Sequence, residues 1–177
     1  MIIDLRTITE EPRRFSITLE RDWWSGQEND DQVLGLEDPF RADIVIYRAG
    51  EKYVLDGRIE GKVIARCDRC LESFEMDSRS HFEAFFSLPV DDPSQREKEL
   101  AEADMEVDYL RGDEIDLNEI LREQIYLSLP VKLICSPDCR GLCPRCGINL
   151  NAAQCQCRRE TGHPGFAKLK NMKIQGE

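Results

Sequence analysis

The sequence predicts an α+β fold in which an antiparallel, partly barrel-like sheet carries one main amphipathic helix and a cysteine-rich C-terminal segment. Three observations lead to this prediction. Apolar and polar residues alternate through much of 41–89, as half-buried strands require. An apolar stripe at helical spacing follows between Leu117 and Leu129. Six of the eight cysteines then fall within 135–157.

The N-terminal half of the chain is typical of successive β-strands. Apolar side chains recur there at every second position, and glycine-containing turns separate the runs. Short connections between successive strands favour antiparallel pairing. The predicted strands cover about residues 2–8, 15–19, 42–47, 53–66, 74–76, 81–88 and 105–110.

The predicted helix has a defined start and end. Asp116 is a residue type preferred at the N-cap, and Glu119 stands three positions later, as in a capping box. Leucine and isoleucine recur at every fourth position from Leu117 to Leu129, which predicts one buried face against the sheet. Pro130 ends the helix because proline lacks the backbone N–H that the helix needs.

Secondary-structure pattern, cysteine content and charge divide the chain into three parts. Residues 1–113 are mainly β and contain an acidic linker at 91–104, residues 114–157 hold the helix and the cysteine-rich segment, and residues 158–177 form a basic tail. The net charge of −11 argues against a protein that coats nucleic acid by charge alone. The tail nevertheless offers a small basic surface to RNA or another partner, and its candidate residues are Arg158, Arg159, Lys168, Lys170 and Lys173.

The sequence predicts a cytoplasmic protein with no membrane association. No apolar run approaches the roughly 20 residues that a membrane-spanning helix needs. The first residues also lack the basic region and the long apolar core of a signal peptide. In a reducing cytoplasm, clustered cysteines are metal ligands more often than disulfides.

The cysteines predict metal binding. Two residues between paired cysteines let both sulfurs point into one site, and four thiolates suit tetrahedral zinc. In the run CPRCG, Pro144 fixes part of the turn, and Gly147 can adopt the positive φ that follows the second ligand. We therefore expect a zinc-ribbon-like segment with one or two zinc ions in four-cysteine sites. The candidate ligands are Cys67, Cys70, Cys135, Cys139, Cys143, Cys146, Cys155 and Cys157.

Spacing alone does not fix which cysteines share a metal. The preferred division groups Cys67 and Cys70 with Cys135 and Cys139, so that the first metal would join the sheet to the segment after the helix. The remaining four then close a compact second site. An alternative is a single site formed by the cysteine pairs 67/70 and 143/146. Four-thiolate sites also hold iron–sulfur clusters in other proteins.

Catalysis finds little support in the sequence. Its two histidines are His81 and His163, and neither stands beside a cysteine and an orienting carboxylate. Catalytic zinc keeps an open position, commonly with His or Glu ligands, whereas all-cysteine sets are mostly structural. There is no phosphate-binding loop, dinucleotide fingerprint or nucleophile elbow. The sequence therefore predicts a protein that is not an enzyme and takes no small-molecule substrate.

Three motifs give the chain a family resemblance. They are CDRCLESF at 67–74, GDEIDLNEILREQIYLSLP at 112–130 and CRGLCPRCGINLN at 139–151. Together they resemble the cysteine-rich form of the bacterial YceD-like family. The resemblance implies a non-catalytic ribosome-biogenesis factor that supports accumulation of large-subunit ribosomal RNA, 23S in bacteria, with a structural metal.

The expected partners are large-subunit ribosomal RNA, a basic ribosomal protein, or both. The region 91–119 contains twelve acidic and three basic residues and would contact the basic protein, while the basic tail would contact RNA. Two alternatives remain open. One is a thiol redox protein or sensor using Cys67 and Cys70, which requires an exposed thiolate of low pKa. The other is a zinc-dependent protein-docking module in another pathway.

Overall fold

The computed structural model describes residues 1–24, 32–37, 39–88 and 107–157. The predicted acidic linker at 91–104 and the predicted basic tail at 158–177 lie outside these residues. Within the described ranges, no helix is long and apolar enough to cross a bilayer.

Eight strands and one α-helix account for the regular structure of the described residues, together with two short 3-10 turns. The strands are β1 (Ile2–Asp4), β2 (Arg13–Leu19), β3 (Val33–Leu36), β4 (Phe40–Ala49), β5 (Lys52–Arg66), β6 (Ser73–Ser87), β7 (Val107–Tyr109) and β8 (Glu114–Asp116), and the helix is α1 (Leu117–Leu127).

Most of the strands form one open sheet. Its order is β2-β4-β5-β6-β7, and β3 pairs with the end of β5 that β4 does not reach. The pairs are antiparallel as predicted, except that β7 runs parallel to β6. Among the described strands no pairing joins β2 to β7, so the sheet is not closed into a barrel. The α+β class with one main helix is confirmed, and β1 and β8 form a separate two-stranded ribbon.

The longest feature of the sheet is the hairpin of β5 and β6. Pairing is continuous from Lys52 opposite Ser87 to Arg66 opposite Ser73. The sequence predicts two separate strands in place of β6, because polar residues interrupt the apolar alternation between them. One of these polar residues, Ser78, is buried, and its hydroxyl lies 2.6 Å from that of Ser128. Inward-facing and outward-facing side chains therefore keep alternating along β6 at this position. The tip of this hairpin carries the first cysteine pair.

One apolar core lies between the sheet and α1. It joins residues of every strand from β1 to β6 and of β8 with the predicted stripe of the helix, of which Leu117, Leu121 and Ile125 are buried. The helix ends at Leu127, two residues before the end of the predicted stripe. The Ser128 hydroxyl donates to the carbonyl of Ile125 at 2.6 Å, which satisfies an acceptor of the last turn.

β3 is not among the strands that the sequence predicts, and its four residues follow a polar stretch. The two tryptophans show how it is held. The indole N–H of Trp24, a buried residue, donates to the carbonyl of Val33 at 3.2 Å, while that of Trp23 donates to Asn118 Oδ1 at 2.9 Å. The guanidinium of Arg122 lies 4.9 Å from the centre of the Trp23 ring. Contacts distant in sequence thus fix this edge of the fold.

We expect Asp116 to stabilise the start of α1 in a pH-dependent way. Its side chain accepts the backbone N–H of Asn118 at 2.9 Å, which lowers the pKa of the carboxyl, and the Met1 ammonium at 3.1 Å lowers it further. Asp116→Ala should reduce the free energy of unfolding by about 1 kcal/mol at neutral pH. Because the folded pKa lies below the unfolded one, the charge-dependent stabilisation exists above the ordinary carboxyl range and is lost as pH falls through the folded pKa.

Urea unfolding measured across pH tests this expectation. Asp116→Asn is the matched variant, since asparagine also caps helices but carries no charge. The stability gap between wild type and Asp116→Asn should close as the solution is acidified. A gap that stays constant with pH would contradict the assigned role of the carboxylate.

Candidate metal centres

The first cysteine cluster consists of Cys67, Cys70, Cys135 and Cys139. Cys67 and Cys70 lie at the tip of the β5–β6 hairpin, and the other two lie in the segment that follows α1. All four sulfurs lie within 4.8 Å of one another. Cys67, Cys70 and Cys139 are buried in a small apolar cluster with Phe74 and Ile134 packed against it. This is the preferred partition of the sequence analysis, and it joins the sheet to the segment beyond the helix.

The sulfur spacing fits a single tetrahedral ion. Cys67 Sγ lies 3.8 Å from Cys139 Sγ, and Cys70 Sγ lies 3.8 Å from Cys135 Sγ. Four sulfurs placed 2.3 Å from one zinc ion at tetrahedral angles are about 3.8 Å apart. An iron–sulfur cluster would hold its thiolates farther apart, since iron and sulfide atoms lie between them. The residues present therefore fit one divalent ion.

The second cysteine cluster consists of Cys143, Cys146, Cys155 and Cys157. Its sulfurs also lie within 4.8 Å of one another, and the Cys155 and Cys143 sulfurs are 3.4 Å apart. The turn between the first two cysteines follows the prediction, because Gly147 has a φ of +72° and its N–H donates to the carbonyl of Cys143 at 2.9 Å. The cluster is local in sequence and more exposed than the first.

The thiol pKa values differ widely within each cluster. Burial raises the pKa of Cys67, but backbone N–H groups, foremost that of Cys135, outweigh burial and bring it down to about 6. Loss of hydration and the neighbouring thiols raise the pKa of Cys135 to about 12. In the second cluster, the N–H of Arg145 lowers the pKa of Cys143 to about 6, while Cys146 raises that of Cys157 to about 11. A divalent cation stabilises all four thiolates together.

Two side chains of the hairpin tip tie the first cluster to the chain around it. Asp68 Oδ2 accepts the N–H of Leu133 at 2.8 Å, and the guanidinium of Arg69 donates to the carbonyl of Cys139 at 3.0 Å. The carbonyl of Arg69 accepts the N–H of Leu142 at 2.9 Å. Gly141 lies so close to Arg69 that a Cβ added to the glycine would be 2.9 Å from the Arg69 carbonyl oxygen. The φ of Gly141 is +71°, in the left-handed region. Glycine is required there for both reasons.

Asn151 links the two clusters, although it lies in the loop of the second. Its Nδ2 donates to the sulfur of Cys139 at 3.3 Å, and its Oδ1 accepts the N–H of Arg140 at 2.7 Å. The neighbouring Asn149 donates to Glu72 Oε1 at 3.3 Å. Neither Asn151 nor Arg69 is among the site residues that the sequence predicts. The available signal was their place inside the cysteine motifs at 67–74 and 139–151.

We expect Asn151→Ala to weaken metal binding by the first cluster. The variant removes a hydrogen bond to a ligand sulfur, and losses of this kind in other metal sites cost about 10–100-fold in affinity. Competition with a chelator, read as zinc released per molecule, measures the effect. Gln154→Ala is the control, because it alters an exposed side chain of the same loop. Equal zinc retention by the two variants would contradict the assigned role of Asn151.

The structure thus brings together all eight predicted ligands in two groups. That these groups bind zinc stays a prediction. The predicted partner-binding residues Arg158, Arg159, Lys168, Lys170 and Lys173 lie outside the described residues. Of the acidic region at 91–119, the described part is 107–119, which includes β7, β8 and the start of α1.

Comparison with known proteins shows where these features recur. A YceD homolog 1 of Arabidopsis thaliana chloroplasts, named a large ribosomal RNA subunit accumulation protein, is 28% identical over 158 residues, which are 77% of this chain and 49% of the relative. The Zea mays protein of the same name is 25% identical over 160 residues, covering 76% and 53%. An uncharacterized protein of Mycobacterium tuberculosis is 30% identical over 130 residues, covering 73% and 60%.

This chain therefore spans about half to three fifths of the length of these curated relatives. No solved structure matches it. The family model described as large ribosomal RNA subunit accumulation protein YceD matches residues 55–173, a range that contains both cysteine clusters, α1 and all but the first three residues of the β5–β6 hairpin. The chain belongs to the YceD family.

Proposed function

We propose that this protein is a non-catalytic ribosome-biogenesis factor that supports accumulation of large-subunit ribosomal RNA, 23S RNA in the bacterial cytoplasm. The family is named for that accumulation and not for a reaction. The observation that carries the proposal is the position of the two all-cysteine clusters within the family match. Each offers four thiolates to one ion, an arrangement typical of structural zinc.

The zinc ions would hold the region after α1 in its folded form. The segment 135–157 has few large apolar residues and no regular strand or helix among the described residues. Its folding free energy would come mainly from metal binding, which in zinc-finger peptides amounts to about 10–16 kcal/mol. In the first cluster, this free energy also attaches the segment to the sheet. A structural metal therefore keeps a surface in place for partners to bind.

The charge distribution supports a basic ribosomal protein and ribosomal RNA as partners. Two divalent ions held by eight thiolates would change the formal net charge from −11 to −15. A polyanion meets repulsion from such a protein, whereas a basic protein is attracted to it. The basic tail at 158–177 is the part of the sequence suited to RNA phosphates.

The redox alternative finds less support in the geometry. Cys67 has a low pKa, as a reactive thiol needs, but its exposure is 0% and that of Cys70 is 2%. Redox-active thiolates must be reached by a partner thiol or oxidant. Thiol titration of the zinc-loaded protein separates the two functions: silent thiols support a structural role, and a rapidly modified pair at 67 and 70 supports redox activity.

Depletion of the protein in its own organism tests the proposed function. We expect the ratio of 23S to 16S RNA to fall and free large subunits to decrease in sedimentation profiles. Re-expression of the wild-type chain should restore both, and re-expression of Cys67→Ser should not. Unchanged rRNA and subunit profiles after depletion would contradict the proposal. A shortfall confined to another cellular process would favour a zinc-dependent docking module in that pathway.

A further inference from the structure

The edge of β6 is open along most of its length in the part of the chain that the structure describes. One side of β6 pairs with β5 at every residue from Ser73 to Ser87. On the other side β7 pairs only with residues 85–87. The stretch from Glu75 to Glu83 therefore has no strand partner on that side among the described residues, and at about 3.4 Å per residue it is about 27 Å long.

The backbone groups at this edge can be identified from one hydrogen bond. The N–H of Leu110, just after β7, donates to the carbonyl of Ser87 at 3.1 Å, so Ser87 directs its backbone groups towards the β7 side. The N–H and C=O of one residue point to the same side of a strand, and successive residues alternate. The pairing with β5 continues without a bulge. The residues that direct N–H and C=O to the open edge are therefore Glu75, Asp77, Arg79, His81 and Glu83.

Side-chain charge along this edge favours a basic partner. Arg79 is neutralised by Glu60 at 3.0 Å, and His81 lies 3.0 Å from Asp56. Asp77 and Glu83 form no ion pair with any residue that the structure describes. An added strand with Lys or Arg at alternate positions would place cations opposite these carboxylates. RNA phosphates would meet repulsion at the same place.

Exposed apolar side chains lie next to the middle of the open edge. Ser78 of β6 contacts Ser128 through their hydroxyls at 2.6 Å. On either side of Ser128, Leu127 is 68% exposed and Val131 is 98% exposed. Strand addition combines main-chain hydrogen bonds, which give affinity, with contacts for alternate side chains, which give specificity. The open edge of β6 offers the main-chain groups, and Leu127 and Val131 offer the apolar side-chain contacts.

We propose that the open edge of β6 from Glu75 to Glu83 binds an extended segment of a basic protein as an added β-strand. The inference rests on the proposed function in taking a basic protein as the partner. It adds the surface that binds and the form in which the partner is bound.

Binding of a synthetic peptide to the zinc-loaded full chain tests the proposal. The probe is a nine-residue peptide of alternating lysine and valine. Three controls are used: the same peptide with every backbone amide N-methylated, an alternating glutamate–valine peptide, and a single-stranded RNA 12-mer. We expect the lysine peptide alone to bind and to slow hydrogen exchange of the five outward amides. Binding of RNA but not peptide, equal binding of the N-methylated peptide, or slow exchange of these amides in the free protein would each overturn the proposal.

A matched pair of variants locates the interaction on the protein. Asp77→Pro removes an outward N–H and leaves the pairing with β5 intact, since proline is tolerated where the N–H of an edge strand faces solvent. We expect Asp77→Pro to weaken binding of the lysine peptide by about tenfold or more, as a loss of roughly 1.4 kcal/mol in binding free energy implies. Asp77→Ser keeps the N–H and should bind within about threefold of wild type. Equal affinity of both variants overturns the proposal, and His81→Pro repeats the test if Asp77→Pro fails to fold.

Re-expression of the two Asp77 variants in depleted cells separates this inference from the proposed function. If depletion lowers 23S RNA and Asp77→Ser restores it but Asp77→Pro does not, the open edge carries the activity. If Asp77→Pro restores it fully, the strand-addition site is overturned while the proposed function stands. Association of two copies through this edge, detected as a dimer by sedimentation that Asp77→Pro abolishes, would replace the basic protein as occupant and overturn the proposal.

Discussion

Cys67→Ser is expected to remove one zinc ion per molecule and to release the region after α1 from the sheet. Cys67 is fully buried, and its sulfur accepts the N–H of Cys135 at 3.4 Å besides facing the other three thiols. A serine hydroxyl is not a thiolate, so the first cluster would lose a ligand that structural zinc requires. Because an ion in this cluster would join the hairpin tip to the segment after the helix, its loss would change the structure of that segment and not just one contact.

Elemental analysis and hydrogen exchange check this result together. We expect one zinc ion in place of two, with faster exchange in residues 133–142 and continued protection in β2, β4 and β5. Cys146→Ser is the matched comparison, since it removes an exposed ligand of the second cluster. That variant should also lose one ion but leave the hairpin tip protected. Two ions retained in Cys67→Ser would show that Cys67 is not a ligand that the first cluster needs to hold its ion.

Phe40→Ala is expected to be the most damaging change within the apolar core. Phe40 is fully buried at the start of β4, and its ring lies over Gly61, where an added Cβ would come within 2.5 Å of ring carbon Cδ2. Since Gly61 has no side chain to fill the space, truncation of the ring would leave a cavity. Phe→Ala changes in cores cost about 3–5 kcal/mol, a large part of the roughly 5–15 kcal/mol that stabilises a typical domain.

Urea unfolding of the zinc-loaded protein measures this loss. Tyr109→Ala is the control, because it removes an aromatic side chain that is 54% exposed in β7. The control should cost less than about 1 kcal/mol. A Phe40→Ala protein as stable as the Tyr109→Ala protein would mean that the sheet does not pack around this ring.

Local patterns were sufficient for the elements whose residues contact neighbours in sequence. The period-two runs located β2, β4 and β5, and the N-cap at Asp116 with the leucine stripe located α1. The pairs CxxC, CxxxC and CxC located every candidate ligand. In each case the physical cause is local, because a strand or helix face and a turn between two thiols depend on residues a few positions apart.

Contacts between residues far apart in sequence could not be predicted without the tertiary structure. The sequence left undecided which cysteines share an ion, since Cys67 and Cys139 meet only because the β5–β6 hairpin and α1 bring them together. It also missed β3, and it expected all strands to be antiparallel, whereas β7 runs parallel to β6.

The sequence by itself determined the fold class, the helix, the eight thiols and the family, because each of these is written in residue type and short-range spacing. The tertiary structure alone decided the grouping of the thiols, the linking role of Asn151 and the open edge of β6. These depend on the order in which strands pair, on the contact of Cys67 with Cys139 across 72 residues, and on the loop that brings Asn151 onto Cys139, and local preferences do not encode them.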